Sequence, residues 1–303
     1  MRRVPCRFLV LVCLCVILCL SACSQADPLS LPAADELSQR HAHCVDTVHG
    51  QIAAWDTGDP EEVRKVYTDD IVHFDSRPAY VGIEDVVDMS KMMFRSSPDW
   101  QMAPGDTYVS VDRCAGEWDF WNTMGFEEDA PGTEFDILDA RDGKIAYWRL
   151  FYDQAFYEAW GADDEIDRAS LDAYAATWSA GEVDAVKQLY ARNAVLVDSL
   201  LGIAAKGRGQ VSAYADAILA EASQGAWSVE HVFGEGEMIE TADGSEGRNP
   251  ADGAVFHVDT RGGTGDRCTL RLMVVLQPDD KGLIAHQEVF WDAMSLEACG
   301  WVE

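Results

Sequence analysis

The chain is poor in basic residues and has no long hydrophobic run. Its 303 residues include 23 Lys and Arg against 53 Asp and Glu, which gives a formal net charge of −30. A field of that sign repels nucleic acid and anionic lipid headgroups, so we expect no nucleic-acid partner. The apolar run Phe8–Leu20 is too short to span a bilayer as a helix.

Several chemical motifs are also missing. The sequence has no phosphate-binding glycine loop, no dinucleotide fingerprint and no Gly-x-Ser-x-Gly elbow. His41 and His43 lie two residues apart on a predicted helix, so their side chains point away from each other and make poor metal ligands. We therefore expect neither a cofactor nor a metal.

The N-terminus has the layout of an export signal. A basic start is followed by the apolar run, and Leu20-Ser21-Ala22-Cys23 resembles the bacterial lipobox. That resemblance implies cleavage before Cys23 and lipidation of its thiol, which would anchor the exported protein to the bacterial cell membrane. The alternative is an ordinary signal peptide with an incidental cysteine. We expect a signal peptide over residues 1–22 and a tether over residues 23–34.

Cysteine use fits export. Beyond Cys23 there remain four cysteines, and an even number in an exported chain indicates disulfide bonds. Four cysteines allow three pairings, and four buried free thiols are a further alternative. If each half of the chain pairs internally, the bonds are Cys44–Cys114 and Cys268–Cys299.

Two segments of the chain repeat each other. Trp55–Ser76 aligns without a gap with Trp178–Ser199, at an offset of 123 residues (178 − 55). A second pair, Ile145–Asp153 and Ile284–Asp292, closes each unit. A repeat of this length exceeds any solenoid unit, so we predict two tandem copies of one globular domain. The predicted domains span residues 35–161 and 162–303.

Helical spacing opens each unit and alternating strands follow. This order predicts an α+β fold in which a curved antiparallel sheet wraps three helices and leaves a conical cavity open at one end. In the first unit the predicted helices lie near 34–56, 60–67 and 83–94, and the strands near 71–75, 100–102, 106–111, 116–123, 133–140 and 145–152. In the second unit the helices lie near 170–179, 183–191 and 209–222, and the strands near 195–199, 226–232, 235–240, 254–260, 268–277 and 283–291.

The motifs of the first unit resemble a known group of proteins. They are a Trp-x-x-Gly-Asp run from Trp55, a helix ending at Tyr67, a strand ending at Asp75, Tyr80-x-Gly82-x-Glu84, and an Asp-Gly-Lys-Ile turn followed by Trp-Arg. Together they resemble the SnoaL-like branch of the nuclear transport factor 2-like superfamily, which includes polyketide cyclases, limonene epoxide hydrolase and ketosteroid isomerase. The resemblance implies cone-shaped α+β barrels. Because this superfamily often dimerises, it also implies that the two domains form a pseudo-dimer.

In limonene epoxide hydrolase, a Trp-Arg pair on the last strand precedes an essential Asp. Here Trp148 and Arg149 precede Leu150, and the second unit has Val289 after Gln287 and Glu288. Leucine and valine cannot transfer a proton, so the resemblance argues against epoxide hydrolysis by that mechanism.

The likeness to ketosteroid isomerase places Asp75 and Asp198 on the general base. It places the protonated carboxyl donor near Glu134 in the first unit, while His73 alternates with Asp75 on one strand face and would be a substitute donor. In the second unit the carboxyl donor falls near Leu272. The phenol donor of that enzyme falls near Gln51 in the first unit and near Tyr174 in the second. The first unit therefore lacks the phenol, and the second lacks the acid.

Structural alternatives stand beside these roles. Asp75 and Asp198 are each followed by Ser, which is also typical of a strand-end aspartate that bonds to the following turn. Glu134 and Asp136 share a strand face, and that face could equally be the solvent-facing convex side. Further candidates for the lining of the ligand pocket are Trp118, Trp148, Leu150, Tyr152, Tyr174, Asp198, Gln287 and Val289.

Three hypotheses for function follow. The first is a membrane-anchored lipoprotein that binds a small, partly apolar ligand or a partner protein without turning it over. The alternative is an isomerase- or cyclase-type enzyme in the first domain, with Asp75 as base and His73 or Glu134 as donor. The third is a structural role, in which the sheet faces pack on each other or on a second chain.

Overall fold

The computed structural model describes residues 32–75, 79–121, 131–160, 166–221, 225–235, 251–261 and 265–301. All of them lie in one compact unit, which contains two copies of one α+β fold. The predicted signal peptide, Cys23 and most of the tether lie outside the described residues. The same holds for the predicted strand 235–240 beyond Glu235.

The first copy begins with a long helix and ends with a short one. Asp59 caps the second helix by accepting a hydrogen bond from the Glu61 backbone N–H at 2.9 Å, and Pro60 occupies its first turn. Its elements are α1 Ala34–Asp56, α2 Pro60–Val66, β1 Tyr67–Phe74, β2 Tyr80–Val81, α3 Ile83–Ser96, β3 Gln101–Val109, β4 Cys114–Trp121, β5 Gly132–Arg141, β6 Lys144–Tyr152 and α4 Gln154–Trp160.

The second copy repeats this order. Gly181 ends its first helix in the left-handed conformation (φ 70°), as Gly58 (φ 65°) does at the equivalent turn of the first copy. Its elements are α5 Arg168–Ala180, α6 Val183–Gln188, β7 Tyr190–Asp198, β8 Ile203–Lys206, α7 Gly207–Glu221, β9 Ala226–Gly234, β10 Asp252–Arg261, β11 Arg267–Pro278, β12 Ile284–Trp291 and α8 Ala293–Ala298.

Two predicted boundaries were wrong. The predicted strands 100–102 and 106–111 form one strand, β3, because a register shift between Pro104 and Thr107 carries the pairing with β4 across the Pro-Gly step. The predicted helix 183–191 ends at Gln188, because Tyr190 already pairs with Ile284 of β12. Tertiary pairing overrides local helical spacing there.

Each copy forms a curved sheet with the same strand order. In the first copy the order is β2-β1-β6-β5-β4-β3, and β1 runs parallel to β6 while the other pairs are antiparallel. In the second copy β7 takes the place of β1 and runs parallel to β12. Helix α1 packs against β3 and β4 on the concave side, so each sheet and its helices enclose a cone.

The two sheets join at both edges. Val109 of β3 pairs with Trp291 of β12, and Tyr152 of β6 pairs with Gly234 of β9. Eight strands therefore form a closed ring, β3-β4-β5-β6-β9-β10-β11-β12, whose interior is filled by the convex faces of both copies. The core inside this ring consists of Tyr108, Ala115, Phe135, Ile137, Phe151, Phe233, Ala251, Val255, Met273, Val275 and Phe290.

Each copy carries one disulfide bond. Cys44–Cys114 joins α1 to β4, and Cys268–Cys299 joins β11 to the residue after α8. This is the pairing within each half of the chain that the sequence suggested. Within the described ranges, no helix is both long and apolar enough to cross a membrane.

Candidate functional site

Alternate residues of β4, β5 and β6 line the first cone. In one row across the sheet, Trp118 lies opposite Glu134, which lies opposite Tyr152. In the next row, Asp136 lies between Gly116 and Leu150. The intervening residues point the other way, into the core between the two domains. Both faces of β5 are therefore covered.

Asp136 meets α1 through Gln51. A Cβ atom at Gly116 would lie only 2.7 Å from Val48 Cγ1, so the glycine lets the helix approach β4 closely. Gln51, one turn after Val48, donates a hydrogen bond from Nε2 to Asp136 Oδ2 at 3.0 Å. Burial raises the pKa of Asp136 to about 8, against the opposing effects of Trp148 and Gln51. The carboxyl is therefore largely protonated at neutral pH.

Glu134 is a second buried carboxyl beside Asp136. Only 2 % of its surface is exposed, and its Oε2 atom has no hydrogen-bond partner. Burial raises the pKa of Glu134 well above its usual range, and the neighbouring carboxyls of Asp136 and Asp75 raise it further. The cone thus holds two neutral carboxylic acids, each able to donate a proton in a hydrogen bond.

His73 of β1 lies fully buried among aromatic rings. Its ring stacks on Trp148 with the centroids 3.7 Å apart and on Tyr80 at 5.5 Å. Burial lowers the pKa of His73 to about 4, although Asp75 acts in the opposite direction. Neither ring nitrogen has a hydrogen-bond partner. The imidazole is therefore neutral and offers one donor and one acceptor.

Unsatisfied polar atoms gather in the first cone. Trp118 and Trp148 each act on the pKa of Asp136, yet neither indole Nε1 atom makes a hydrogen bond of acceptable geometry. Buried polar groups in folded proteins normally have partners, and leaving one unpaired costs about 1–3 kcal/mol. The unpartnered atoms are Gln51 Oε1, both ring nitrogens of His73, Trp118 Nε1, Glu134 Oε2, Asp136 Oδ1 and Trp148 Nε1.

Asp75 lies at the end of β1 and is half-buried. It accepts a hydrogen bond from Tyr152 Oη at 2.9 Å. The second copy has the same arrangement, because Trp291, which takes the place of Tyr152, donates from Nε1 to Asp198 at 3.1 Å. Each aspartate therefore accepts a hydrogen bond from the last strand of its own sheet.

The second cone pairs its buried carboxyl and amide oxygens internally, although the indole Nε1 atoms of Trp178 and Trp227 have no hydrogen-bond partner. Asp198 is fully buried and also accepts hydrogen bonds from Tyr214 Oη at 2.9 Å and from the Leu201 backbone N–H at 3.2 Å. Burial raises the pKa of Asp198 to about 6, while Tyr214 acts in the opposite direction. The Asp198 carboxyl therefore links β7 to α7 and β12 through hydrogen bonds.

The two acids of the first cone have no counterpart in the second. The strand registers match Glu134 with Leu272 and Asp136 with Val274, because each pair lies opposite equivalent residues of the last strand. Gln287, which takes the place of Trp148, accepts hydrogen bonds from Tyr174 at 3.3 Å and Tyr190 at 2.5 Å. Val289 is buried among these groups.

The alternative that placed Glu134 and Asp136 on a solvent-facing convex side is wrong. Both side chains are buried inside the cone, and the convex face carries Phe135 and Ile137 instead. Asp136 was missing from the predicted site, although its position two residues after Glu134 put it on the same face. Leu150 lies directly opposite Asp136, so the carboxyl absent from β6 is present on the neighbouring strand.

A cavity lies where the two copies meet. It encloses about 200 Å³ and is lined in part by Ser199, His286 and Glu288. Its charged groups already pair with each other: Arg113 Nη1 lies 2.9 Å from Glu288 Oε2, and His286 Nε2 lies 3.0 Å from Glu288 Oε1. Among the described residues, no group of three or more His, Cys, Asp or Glu side chains is arranged to hold a metal ion.

The fold and the cones define an α+β protein built from two copies of one cone-shaped domain. The chain belongs to the SnoaL-like domain family, whose model matches two regions, residues 48–148 and 171–287. No curated protein matches the chain.

Solved structures with the same kind of fold each match part of the chain. One is a protein of unknown function with a cystatin-like fold from Xanthomonas campestris, at 23% identity over 39% of this chain and 98% of its own, with a TM-score of 0.34. Another is the epoxide hydrolase/cyclase-like enzyme SalBIII, at 16% identity over 42% and 92%, with a TM-score of 0.33. A third is an NTF2-like protein of unknown function from Cytophaga hutchinsonii, at 14% identity over 38% and 94%, with a TM-score of 0.31.

Proposed function

We propose that the protein is an exported, membrane-anchored lipoprotein whose first cone binds a small neutral ligand, while its second cone has a structural role. The observation that carries the binding proposal is the group of unpartnered carboxyl, imidazole and amide atoms in the first cone. In the described part of the second cone the carboxyl and amide oxygens are paired, and indole nitrogens such as that of Trp178 are left without partners. A ligand that supplies the missing hydrogen bonds would recover their desolvation cost.

The lining specifies the chemistry of the ligand. Asp136, Glu134 and His73 are all uncharged at neutral pH, so they favour a neutral molecule. Trp148 and the stacked His73 ring offer flat apolar faces, while the acids and indoles offer donors. A flat, partly apolar molecule with one hydroxyl or carbonyl group matches this lining. A partner protein is the other occupant consistent with the sequence.

Titration with 2-naphthol and 1-tetralone tests the binding proposal, because one carries a hydroxyl and the other a carbonyl on the same bicyclic frame. We expect tryptophan fluorescence to report binding of at least one probe and Asp136→Val, which removes both oxygens, to weaken it about tenfold, the loss of one good hydrogen bond. Asp139→Val, the same change on the same strand but outside the cone, is the matched control. Absence of binding to the parent protein across a wider panel of bicyclic phenols and ketones would refute the proposal.

Non-catalytic binding is supported by the aliphatic residues at the position of the family's acid. Leu150 and Val289 are both buried within their cones and can move no proton. The alternative is an isomerase- or cyclase-type enzyme with Asp75 as base and Glu134 as donor. It is favoured by one observation, the neutral Glu134 carboxyl close enough to Asp75 for the charge of Asp75 to raise its pKa.

Proton exchange separates these two functions. An enzyme of this type would remove a proton from C2 of 1-tetralone and return a deuteron from heavy water, which NMR detects. If the parent protein catalyses this exchange and Asp75→Asn abolishes it without loss of affinity, the enzyme reading holds. If 1-tetralone binds and no exchange occurs above the buffer rate, binding without catalysis holds.

The anchoring proposal rests on Leu20-Ser21-Ala22-Cys23 and the apolar run before it. A lipidated Cys23 would retain the protein in the membrane fraction of a bacterial host. Cys23→Ser should release it into the soluble fraction and abolish labelling by an alkyne-tagged fatty acid. Continued retention and labelling of the variant would contradict lipidation at this position.

A further inference from the structure

Strand β6 belongs to two environments at once. Trp148 and Tyr152 point into the first cone, whereas Arg149 and Phe151 point into the core shared with the second domain. Whatever fixes one face of this strand therefore fixes the other. Residues of the second domain that hold Arg149 are in a position to set the lining of the first cone.

The second domain holds Arg149 through Glu235. The guanidinium makes two parallel hydrogen bonds to this carboxylate, Nε to Oε1 and Nη2 to Oε2, each 2.7 Å long. Both side chains are buried, and Arg149 also lies over the ring of Phe151 at 4.9 Å. Burial lowers the pKa of Arg149, but the bonds to Glu235 more than offset this effect, so the guanidinium stays charged.

Glu235 is itself fixed by the backbone of its own domain. Its Oε2 atom accepts a hydrogen bond from the Ala251 N–H at 3.2 Å, and its own N–H donates to the Ala251 carbonyl at 3.0 Å. Next to it, Gly234 pairs with Tyr152 and accepts a hydrogen bond from Tyr157 Oη at 2.6 Å. The connection from the second domain to β6 is thus continuous and rigid.

The other junction carries the same kind of pair with the signs exchanged. Glu288 of β12 occupies the position equivalent to Arg149, and it binds Arg113 of the first domain at 2.9 Å. This pair is more exposed, with 33 % of the Arg113 side chain accessible, and it lies behind the second cone rather than the first. It provides a matched control within the same molecule.

We infer that Glu235 is a positioning residue for the first cone: through Arg149 it fixes the orientation of Trp148 and Tyr152, so that the second domain completes the binding site of the first. This inference rests on the proposed binding function of the first cone. It assigns the second domain a specific part in that function, beyond its contribution to the common core.

Replacing each pair by apolar residues of similar length tests the inference. R149M/E235L removes the buried pair and R113M/E288L removes its counterpart, and neither leaves an unpaired charge. The protein is labelled with 5-fluorotryptophan, and W148F and W291F assign two of its fluorine resonances. We expect R149M/E235L to shift the Trp148 resonance and weaken 2-naphthol binding at least about fivefold, a coupling typical of linked sites. R113M/E288L should shift the Trp291 resonance and leave Trp148 and the affinity unchanged.

An unshifted Trp148 resonance with parental affinity in R149M/E235L would overturn the inference, as would an equal shift in R113M/E288L. If 2-naphthol fails to bind the parent protein, the binding proposal fails, but the Trp148 resonance still decides whether Glu235 positions the strand. If R149M/E235L does not fold, R149K keeps the charge and loses the two-pronged geometry. It should then shift Trp148 in the same direction, and an unchanged resonance would again overturn the inference.

Discussion

The two cones share one fold and differ in how their interiors treat polar groups. The first contains Asp136 and Glu134 with unpartnered oxygens, and the second has Val274 and Leu272 at the same positions. In the second cone the buried acid is paired, as Asp198 is with Tyr214, and the indole nitrogens of Trp178 and Trp227 have no partner. The second copy thus pairs its buried acid, while the first leaves two acids with unpartnered oxygens.

We conclude from this difference that the first copy carries the proposed site and the second copy mainly contributes stability. Unpaired polar groups destabilise a fold, and they persist where a site needs them. The core that the two copies share can offset that cost for the whole chain. The tandem arrangement lets one cone serve as a site while its neighbour serves as support.

The two charged pairs at the junctions between the copies, Arg149–Glu235 and Arg113–Glu288, give the largest expected effect on stability. Glu235→Gln leaves the buried guanidinium of Arg149 without its counter-charge, so we expect it to lower the free energy of unfolding by about 3–5 kcal/mol. Glu288→Gln affects a more exposed pair and should cost less than about 1 kcal/mol. Urea denaturation of the two variants measures the difference. Equal losses would show that the two junctions contribute alike.

Replacement of the buried aspartates should give the second-largest effect on the free energy of unfolding. Asp198→Asn places an amide N–H₂ among three donors, so we expect a loss of about 2–3 kcal/mol at pH 7. Asp136→Asn replaces a largely neutral carboxyl by a group of the same shape, keeps an acceptor for Gln51 and no longer holds a proton that the unfolded chain releases, so it should not destabilise the protein at pH 7. Thermal unfolding of both variants checks the order. If Asp136→Asn destabilised the protein more than Asp198→Asn, the second cone, and not the first, would have the polar site.

The sequence predicts the fold well because local and repeated signals carry it. The 123-residue offset identifies two copies, and alternation identifies most strands. The disulfide pairing within each copy follows once two domains are accepted. The joined strand β3 was missed because a bulge, and not a break, lies at Pro104-Gly105.

The site was less predictable for a physical reason. A strand with one wet face reveals its orientation by polarity, but both faces of β5 are buried, one in the cone and one against the second domain. Alternation then shows that Glu134 and Asp136 share a face without showing which face it is. The pairing of Arg149 with Glu235 depends on how the domains pack, and no local pattern encodes that packing.

The smallest effect is a pH dependence that belongs to the first cone. The pKa of Asp136 is about 8 in the folded protein against an ordinary value of 3.8, so between these values the folded state holds a proton that the unfolded chain releases. Stability therefore falls as pH rises through this window, by up to about 1.4 kcal/mol per pH unit. His73, with a folded pKa of about 4 against 6.5, acts in the opposite direction, but only below about pH 6.5.

Between pH 6.5 and 8 the difference between an Asp136 variant and the parent protein reports the acid, because other groups that titrate there, such as Glu117 with a pKa of about 7, are common to both. Asp136→Asn cannot titrate, so we expect its stability relative to the parent protein to improve by roughly 1–2 kcal/mol across this range. Asp139→Asn, the control outside the cone, should follow the parent curve. Denaturation curves at pH 6.5, 7.2 and 8 measure both variants. If the Asp136→Asn and parent curves run parallel, Asp136 does not hold its proton in the cone, and the contrast between the neutral acid of the first cone and the paired acid of the second loses its electrostatic basis.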